Sequence, residues 1–341
     1  MATLADVARR AGVSTATVSR IINNSPKPVG DDLRERVLAA VAELQFVPNA
    51  NAQQLARADR SAVGVIVHDV SDPYFAEITR GLQRVATENG RLVIICNSYR
   101  DPERELAYVE LLHAHQTAAI ILAGSGYHDA PLTARLDAKL RLYQSTGGRV
   151  AVIGRHEHAG DAVVPANEHG GYLAGDALYR LGHTAIGVIA GPGHLTTTTD
   201  RLAGLRRAAR EHGRRLLPRH IEYADFDRNG GVAATGALLD RNPGLTALAV
   251  LNDSMAVGAL AALRARGVAV PEQMSLIGFD DMPISVDVTP PLSTVRLPLE
   301  EIGVRAMSLA LRAPSVDAAR QKPVVEHAAA QLVLRGSTAP R

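Results

Sequence analysis

The chain has almost no cysteine and no long hydrophobic run. Cys96 is the single cysteine among 341 residues, so an internal disulfide framework is excluded and a reducing compartment is indicated. No apolar stretch approaches the roughly 18 residues that a membrane-spanning helix needs. A patterned, partly polar segment begins almost at Met1, where a signal peptide would lie. We therefore expect a soluble, cytoplasmic protein without a membrane partner.

An excess of charge of one sign is also lacking. The chain carries 37 basic and 35 acidic residues, which gives a net charge of +2, and its first 60 residues hold eight basic and six acidic residues. This balance excludes binding to nucleic acid through bulk positive charge. Any affinity for DNA must therefore come from a few well-placed contacts and from a second copy of the chain.

Sequence motifs of common enzyme classes are absent as well. There is no GxxxxGK phosphate loop, no GxSxG nucleophile turn and no HExxH zinc motif. The pair His113 and His115, and the segment 156–158 with two histidines, could suggest a metal site, but no second pair follows at ligand spacing. Solvated histidines are the simpler interpretation. We predict that the protein is not an enzyme and uses neither a cofactor nor a metal.

Residues 3–23 have the pattern of two short helices joined by a tight turn. Thr3 can cap the first helix, with Asp6 three residues later in capping-box position. Gly12 lies where the turn needs a permissive residue, and Ser14 can cap the second helix. The outward face of that helix is small and polar with one long cation: Thr15, Ala16, Thr17, Ser19, Arg20 and Asn23. An ordinary helical hairpin is the alternative for this pattern alone.

From Ser61 onward, short apolar runs alternate with helical patterns. The runs lie at 63–67, 91–96, 118–124, 150–154, 185–191, 247–253 and 275–281. Such alternation predicts parallel sheets covered by helices on both faces. Turn residues follow the runs, at the sheet edge where such folds bind ligands. The number of units favours two similar lobes with a cleft between them.

The order of these motifs resembles the lactose- and purine-repressor family of bacterial transcription regulators. Four motifs lie near the N-terminus: TLADVARRAGVS, TVSRIIN, RERVLAAVAEL and VPNANAQQLA. Others continue to the C-terminus: DPYFAEI, ALYRLGHTAIGVIAGP, DRLAGL, LNDSMAVGALAAL, VPEQMSLIGFDD, PPLSTVRLPLEEIG and LVLRGST. The resemblance implies an all-α helix-turn-helix headpiece and an α/β effector domain with the two-lobed fold of periplasmic sugar-binding proteins.

The resemblance also implies the domain boundaries. The headpiece would span 1–46, a hinge segment 47–60, and an effector-binding and dimerisation domain 61–341. Lobe one would comprise 61–160 and 291–321, and lobe two 161–290 and 322–341. The chain would therefore cross between the lobes near 160, 290 and 322.

The family's DNA contacts can be carried over position by position. The implied base contacts are Thr15, Ala16, Arg20 and Leu55, and the implied phosphate contacts are Thr3, Ser14, Thr17, Ser19 and Asn23. Arg20 can pair bidentately with guanine, while Leu55 would insert between base pairs in the minor groove. A solvated helix face for the hydroxyls, and packing of Leu55 on the third helix, are the alternatives. One departure is an extra residue near Pro28, with Gly30 where the family prefers a serine cap.

The implied effector-binding residues lie in the cleft. They are Asp72, Tyr74, Phe75, Arg155, Thr197, Arg201, Phe226, Asn252 and Asp280. A sugar or sugar derivative is favoured as the ligand, and a nucleobase or nucleoside is the alternative. Two departures affect the ligand's identity: Gly154 and Arg155 stand where the family often has an aspartate, and Leu195 replaces a polar group. Asn252 could instead serve only as a helix cap.

The sequence thus predicts a homodimeric, sequence-specific transcription regulator, most simply a repressor. A small effector between the lobes would alter affinity for a palindromic operator in double-stranded DNA. The final segment RGSTAPR carries no heptad repeat, so association is expected to stop at two. Asp280→Ala is expected to weaken effector binding and leave the fold intact. A sugar-binding transport module is the alternative, against which the helix-turn-helix pattern argues.

Overall fold

The computed structural model of the chain describes residues 2–22, 29–47, 62–156, 160–312 and 323–341. Two compact units are present, one within Met1–Ser61 and the other Ala62–Arg341. Within the described ranges, no helix is both long and apolar enough to cross a membrane.

The first unit is the predicted helical headpiece. Its helices are α1 (Leu4–Ala11), α2 (Thr15–Ile22) and α3 (Asp31–Glu43). Thr3 and Asp6 form the predicted capping box, and Gly12 ends α1 with a φ of 65°. Ser14 Oγ accepts a hydrogen bond from the Thr17 backbone N–H at 3.2 Å. Gly30 precedes α3 without a side-chain cap, so the departure from the family pattern leaves this helix formed.

Small apolar side chains hold the three helices together. The buried residues are Val7, Ala8, Ala11, Val18, Ile21, Val37 and Ala40. The Arg36 guanidinium donates to the Ala11 carbonyl, and Arg10 pairs with Glu43 at 2.7 Å, so polar contacts also join α1 to α3. Because Val18 and Ile21 face this core, the opposite face of α2 is left exposed.

The second unit alternates strands and helices, as the apolar runs predicted. Its strands are β1 (Ala62–Val67), β2 (Leu92–Asn97), β3 (Ala119–Ala123), β4 (Arg149–Ile153), β5 (Asp161–Pro165), β6 (Ile186–Ala190), β7 (Ile221–Tyr223), β8 (Ala247–Val250), β9 (Ser275–Ile277), β10 (Thr294–Arg296), β11 (Val325–Ala328) and β12 (Gln331–Val333). Its helices are α4 (Pro73–Glu88), α5 (Pro102–Ala114), α6 (Ala130–Ser145), α7 (Asn167–Arg180), α8 (Thr196–Glu211), α9 (Arg228–Arg241), α10 (Asp253–Ala265), α11 (Ile284–Asp287) and α12 (Leu299–Leu311). A single 3₁₀ turn is described at Pro218–His220.

Two parallel sheets define two lobes. The sheet of lobe one has the order β11-β5-β4-β3-β1-β2, and that of lobe two β7-β6-β8-β9. Every ladder within both sheets is parallel. Strands β1, β3, β6 and β8 are buried along their whole length, as expected for sheets covered on both faces. The α/β two-lobed fold is therefore confirmed.

The lobe boundaries differ from the predicted ones. The segment 161–165 was assigned to lobe two, but it forms β5 and pairs with β4. The segment 325–328 was likewise assigned to lobe two, but it forms β11 and pairs with β5. In contrast, β10 forms a two-stranded antiparallel sheet with β12 and bridges to Ile277 and Asp280 of lobe two. The chain thus crosses after Pro165, after Arg296 and after Ala328, because backbone pairing continues a few residues beyond each predicted crossing.

Candidate functional site

A pocket opens between the carboxyl ends of the two parallel sheets. Lobe one contributes His68, Asp72, Tyr74, Phe75, Arg100, Gly124, Ser125, Gly154 and Pro165, and lobe two contributes Asn167, Thr197, Arg201, Phe226, Asn252 and Asp280. The empty space, including the part open to solvent, is about 480 Å³. Since each strand end supplies a loop or helix start, the topology concentrates polar side chains here.

Eight of the nine predicted effector residues line this pocket, and Arg155 does not. Arg155 is directed away from the pocket, and its contact with an effector stays a prediction. Its Nε and Nη2 atoms donate to the two carboxylate oxygens of Asp200 at 3.0 and 2.7 Å. This bidentate pair joins the segment between β4 and β5 of lobe one to α8 of lobe two, so the carboxylate of the opposite lobe decides where the side chain points.

The centre of the lobe-two wall is a buried ion pair. Arg201 Nη2 donates to Asp280 Oδ1 at 2.8 Å, and Arg201 Nε donates to Asn167 Oδ1 at 2.9 Å. Nη1 donates to the Leu251 carbonyl. The guanidinium carbon lies 3.7 Å from the centre of the Phe279 ring. The two charged side chains are only 3% and 4% exposed, so this fork is preorganised before any ligand arrives.

The backbone at Asp280 adopts an uncommon conformation. Its φ is 107°, in a region that non-glycine residues rarely occupy, and its N–H donates to the Val295 carbonyl at 2.7 Å. Burial raises the pKa of the Asp280 carboxyl, and the Arg201 guanidinium opposes that rise. The carboxylate form therefore depends on its arginine partner.

His68 was not predicted, although it directly follows β1 at the ligand-binding edge. Its Nε2 accepts a hydrogen bond from the Ser125 N–H at 3.2 Å, and its Nδ1 lies 3.4 Å from Ser98 Oγ. Burial lowers the pKa of His68 to about 3, with Arg100 adding to the effect. The ring is thus neutral at physiological pH, and we assign its proton to Nδ1 because Nε2 acts as an acceptor. Its position after a strand was the available signal.

Arg100 is the second pocket residue that sequence reasoning missed. Its guanidinium carbon lies 5.6 Å from the centre of the Phe226 ring, so a lobe-one cation meets a lobe-two aromatic side chain. The nearest carboxylate oxygen belongs to Asp72, 3.9 Å from Nη2. As with His68, the signal was its place shortly after a strand, in the segment NSYRD that follows β2.

Two predicted effector residues are also helix caps. Asn252 Oδ1 accepts from the Met255 N–H at 2.8 Å, and Asn252 Nδ2 donates to the Phe226 carbonyl at 3.3 Å. Asp72 Oδ1 accepts from the Tyr74 N–H at 3.0 Å at the start of α4. Burial raises the pKa of Asp72. Both side chains therefore shape the pocket, and their contact with a ligand stays a prediction.

The exposed face of α2 carries the predicted base readers. Thr15, Ala16 and Arg20 are exposed, whereas Thr17 and Ser19 are half-buried. Among the predicted phosphate contacts, Thr3 and Ser14 use their hydroxyls to cap α1 and α2. Asn23 and Leu55 lie outside the described residues. The structure thus presents one long cation, Arg20, on a surface of small side chains, and the DNA contacts stay predictions.

The cap at Thr3 leads to a stability prediction. Thr3 Oγ1 accepts from the Asp6 N–H at 3.3 Å and donates to Asp6 Oδ2 at 2.7 Å. Thr3→Ala should destabilise α1 by about 1 kcal/mol. The Asp6 N–H would lose its side-chain acceptor, and the Asp6 carboxylate would lose the hydroxyl that donates to it. Native-state hydrogen exchange of the α1 amides would measure this loss. The exposed, non-capping Thr15→Ala is the control, and equal protection of α1 in both variants would contradict the prediction.

Within the described residues, no group of three or more histidine, cysteine, aspartate or glutamate side chains is placed to hold a metal ion. His158 of the segment 156–158 lies outside those residues.

Comparison with known proteins relates both units to characterised regulators. The family described as bacterial regulatory proteins, lacI family, matches residues 3–49, and a periplasmic binding protein-like domain matches residues 176–338. The HTH-type transcriptional regulator GalR of Escherichia coli is 37% identical over 320 residues, covering 91% of this chain and 89% of GalR.

Two solved structures extend the likeness to the fold of nearly the whole chain. A CelR–cellobiose complex is 30% identical with a TM-score of 0.71, covering 99% of this chain and 100% of CelR. The Lac repressor bound to ONPG is 27% identical with a TM-score of 0.86, covering 99% of both chains. The protein is accordingly a DNA-binding transcription regulator rather than an enzyme. It belongs to the lacI family of bacterial regulatory proteins.

Proposed function

We propose that the pocket binds a sugar or sugar derivative, and that its occupancy changes the protein's affinity for a palindromic operator. The observation that carries this proposal is the buried Arg201–Asp280 pair at the strand ends, 2.8 Å apart and braced by Asn167. A fixed guanidinium and carboxylate present donors and an acceptor to hydroxyl-rich ligands. The CelR structure, which shares this fold, holds cellobiose.

The ligand would act by favouring one arrangement of the lobes. Both lobes line the pocket, so a molecule that bridges Arg100 on one side and Asp280 on the other binds best at one lobe separation. A ligand can shift such an equilibrium only through its differential affinity for the two states. Coupling free energies of this kind are typically about 1–3 kcal/mol. The three chain crossings after Pro165, Arg296 and Ala328 must accommodate the change.

At the operator, α2 would lie in the major groove. Arg20 would pair with a guanine, while Thr15 and Ala16 are short enough to contact a thymine methyl group. Thr3, Ser14, Thr17, Ser19 and Asn23 would position the helix on phosphates. Leu55 would insert in the minor groove. Repression by the DNA-bound protein, in the cytoplasm where the chromosome lies, is the simplest outcome.

A nucleobase or nucleoside is the second candidate ligand. The Phe226 ring at the pocket wall, with Arg100 5.6 Å from its centre, is a surface on which a base could stack. The sugar is preferred because the same lobe also presents the fixed polar groups of Asn167, Arg201 and Asp280, which suit a ligand with many hydroxyls.

A thermal-shift screen of sugars and nucleosides tests this proposal. A ligand that binds only the native state stabilises the protein by an amount set by the ligand concentration and its Kd. Members of the ligand class that the pocket binds should therefore raise the midpoint temperature of unfolding. Each hit is then added to an operator-binding titration. Stabilisation by a sugar, together with a change in operator affinity, supports the proposal. Stabilisation by nucleosides alone, or a sugar that leaves operator affinity unchanged, contradicts it.

A dimer is the expected assembly in solution. Two recognition helices related by a two-fold axis match the two halves of a palindromic operator. Multi-angle light scattering at micromolar concentration should therefore give twice the chain mass of 36.2 kDa. A stable monomer or tetramer at that concentration would show that the predicted assembly is wrong.

A further inference from the structure

The two arginines of the pocket have different partners. Arg201 donates to Asn167, to the Leu251 carbonyl and to Asp280, so its charge is compensated and three of its five N–H donors already have partners in the protein. Arg100 lies 3.9 Å from the Asp72 carboxylate, which is beyond hydrogen-bond distance. Its Nε is buried without a hydrogen-bond partner among the described residues. A buried N–H donor without a hydrogen bond costs free energy. A ligand that supplied an acceptor to Arg100 Nε would remove this cost.

No other lining group supplies that acceptor at short range. Asp72 uses Oδ1 to cap α4, which fixes its carboxylate on the helix. His68 is neutral and uses Nε2 to accept from the Ser125 N–H. Phe226 offers only the face of its ring. An acceptor on the occupant of the pocket would therefore complete the hydrogen bonds of Arg100.

The backbone is strained where it places this arginine. Tyr99 and Arg100 have φ values of 53° and 58°, a left-handed conformation that costs free energy for residues with a Cβ. The Tyr99 N–H donates to the His68 carbonyl at 2.7 Å, and the Ser98 N–H donates to the Val67 carbonyl at 2.9 Å. The end of β2 is thus tied to the end of β1, and the guanidinium is held inside the pocket.

We propose that the effector is an anionic sugar derivative whose carboxylate or phosphate group pairs with Arg100. This inference rests on the proposed sugar-binding function and specifies its ligand class. An anion can accept two hydrogen bonds from the edge of the guanidinium that contains Nε, the strong geometry for arginine. The sugar hydroxyls then face Asn167 and the Arg201–Asp280 pair. Such a ligand spans the cleft, with its charge on lobe one and its hydroxyls on lobe two.

Calorimetric titration with matched pairs of sugars tests the inference. Each neutral hexose is compared with its uronate, its aldonate and its hexose phosphate, for the wild-type chain and for Arg100→Met. The wild type should bind at least one anion about tenfold more tightly than the neutral parent. Arg100→Met should lose that preference, because its affinity for the anion should fall about tenfold more than its affinity for the neutral parent. Arg100→Lys should retain part of the preference, since it keeps the charge without the planar fork.

Arg104→Met is the matched control. Arg104 lies four residues further along, in the first turn of α5, and pairs with Asp101 at 3.3 Å. Its guanidinium carbon is 5.6 Å from the centre of the Tyr99 ring, and it does not line the pocket. This variant removes an equal charge from the same region, so it should bind every sugar as the wild type does. Loss of the anion preference in Arg104→Met would attribute the preference to general electrostatics and overturn the specific role of Arg100.

The outcomes separate the inference from the function on which it rests. Tighter binding of a phosphate than of a carboxylate, abolished in Arg100→Met, supports the inference and identifies the anion as phosphate. Tighter binding of neutral hexoses by the wild type, or an equal loss for neutral and anionic sugars in Arg100→Met, overturns it while the sugar-binding function stands. If no sugar binds and nucleosides do, the proposed function itself fails and the inference fails with it.

Discussion

Asp280→Ala should reduce the free energy of unfolding by about 3–5 kcal/mol and weaken effector binding at least about tenfold. The stability loss arises because Arg201, 3% exposed, would keep its charge in a site without a carboxylate. The affinity loss arises because the ligand would face a displaced guanidinium and an empty acceptor position. From the sequence alone we expected the fold to stay intact in this variant. The buried pair adds a predicted loss of stability to that expectation, since the same carboxylate stabilises the lobe and shapes the pocket.

Chemical denaturation and calorimetric titration of the same samples would measure the two effects. Asp280→Asn keeps an oxygen acceptor for Arg201 and should lose less stability than Asp280→Ala. Adding Arg201→Met to Asp280→Ala should restore part of the lost stability, because the unpaired buried charge is removed. A double variant that is less stable than Asp280→Ala would show that the guanidinium is useful to the fold without its partner.

The neighbouring Asp281 provides a matched control. It pairs with Arg296 at 2.6 Å and with Arg335 at 2.7 Å and does not line the effector pocket. Asp281→Ala removes a carboxylate from the adjacent residue and should leave the affinity for the effector close to that of the wild type. An equal loss of effector affinity in both variants would mean that Asp280 acts only through lobe stability.

Arg20→Ala should lower the preference for operator over random DNA by about 1–3 kcal/mol, that is about fivefold to 150-fold. The loss should be confined to discrimination, since Arg20 is exposed on α2 and contributes nothing to the buried headpiece core. Weak binding through phosphates should remain and should fall as salt is raised.

Competition titrations with operator and random duplexes at two salt concentrations would measure this effect. Arg9→Ala is the control, because Arg9 is a strongly exposed cation on α1, with a side chain 79% exposed. It removes the same charge from the headpiece without touching the predicted recognition surface. If Arg20→Ala discriminates as well as Arg9→Ala does, Arg20 is not a base reader.

Local patterns in the sequence were sufficient for most of the architecture. The seven apolar runs correspond to β1, β2, β3, β4, β6, β8 and β9. Apart from the edge strand β2, which is mostly exposed or half-buried, these strands are buried over most of their length, and a strand buried on both faces must be apolar. The caps of α1 and α2 were likewise predicted from single side chains and their spacing. Strands β7, β10 and β12 have only three residues each, and their formation depends on a neighbouring strand rather than on their own composition.

Contacts between residues far apart in the chain determine the lobe to which a segment belongs and the direction of a side chain, which the sequence alone did not predict. The segment 161–165 was not among the predicted apolar runs and fell in lobe two by the implied boundary, and only pairing with β4 and β11 placed it in lobe one. Arg100 and Arg155 each follow a strand of lobe one, and the sequence predicted Arg155 for the pocket, whereas the structure directs Arg100 into it. Arg155 is held by Asp200, 45 residues away in the chain, whereas Arg100 is directed into the pocket by the backbone at the end of β2. A side chain's direction depends on such partners and on local φ values, which periodicity and composition do not specify.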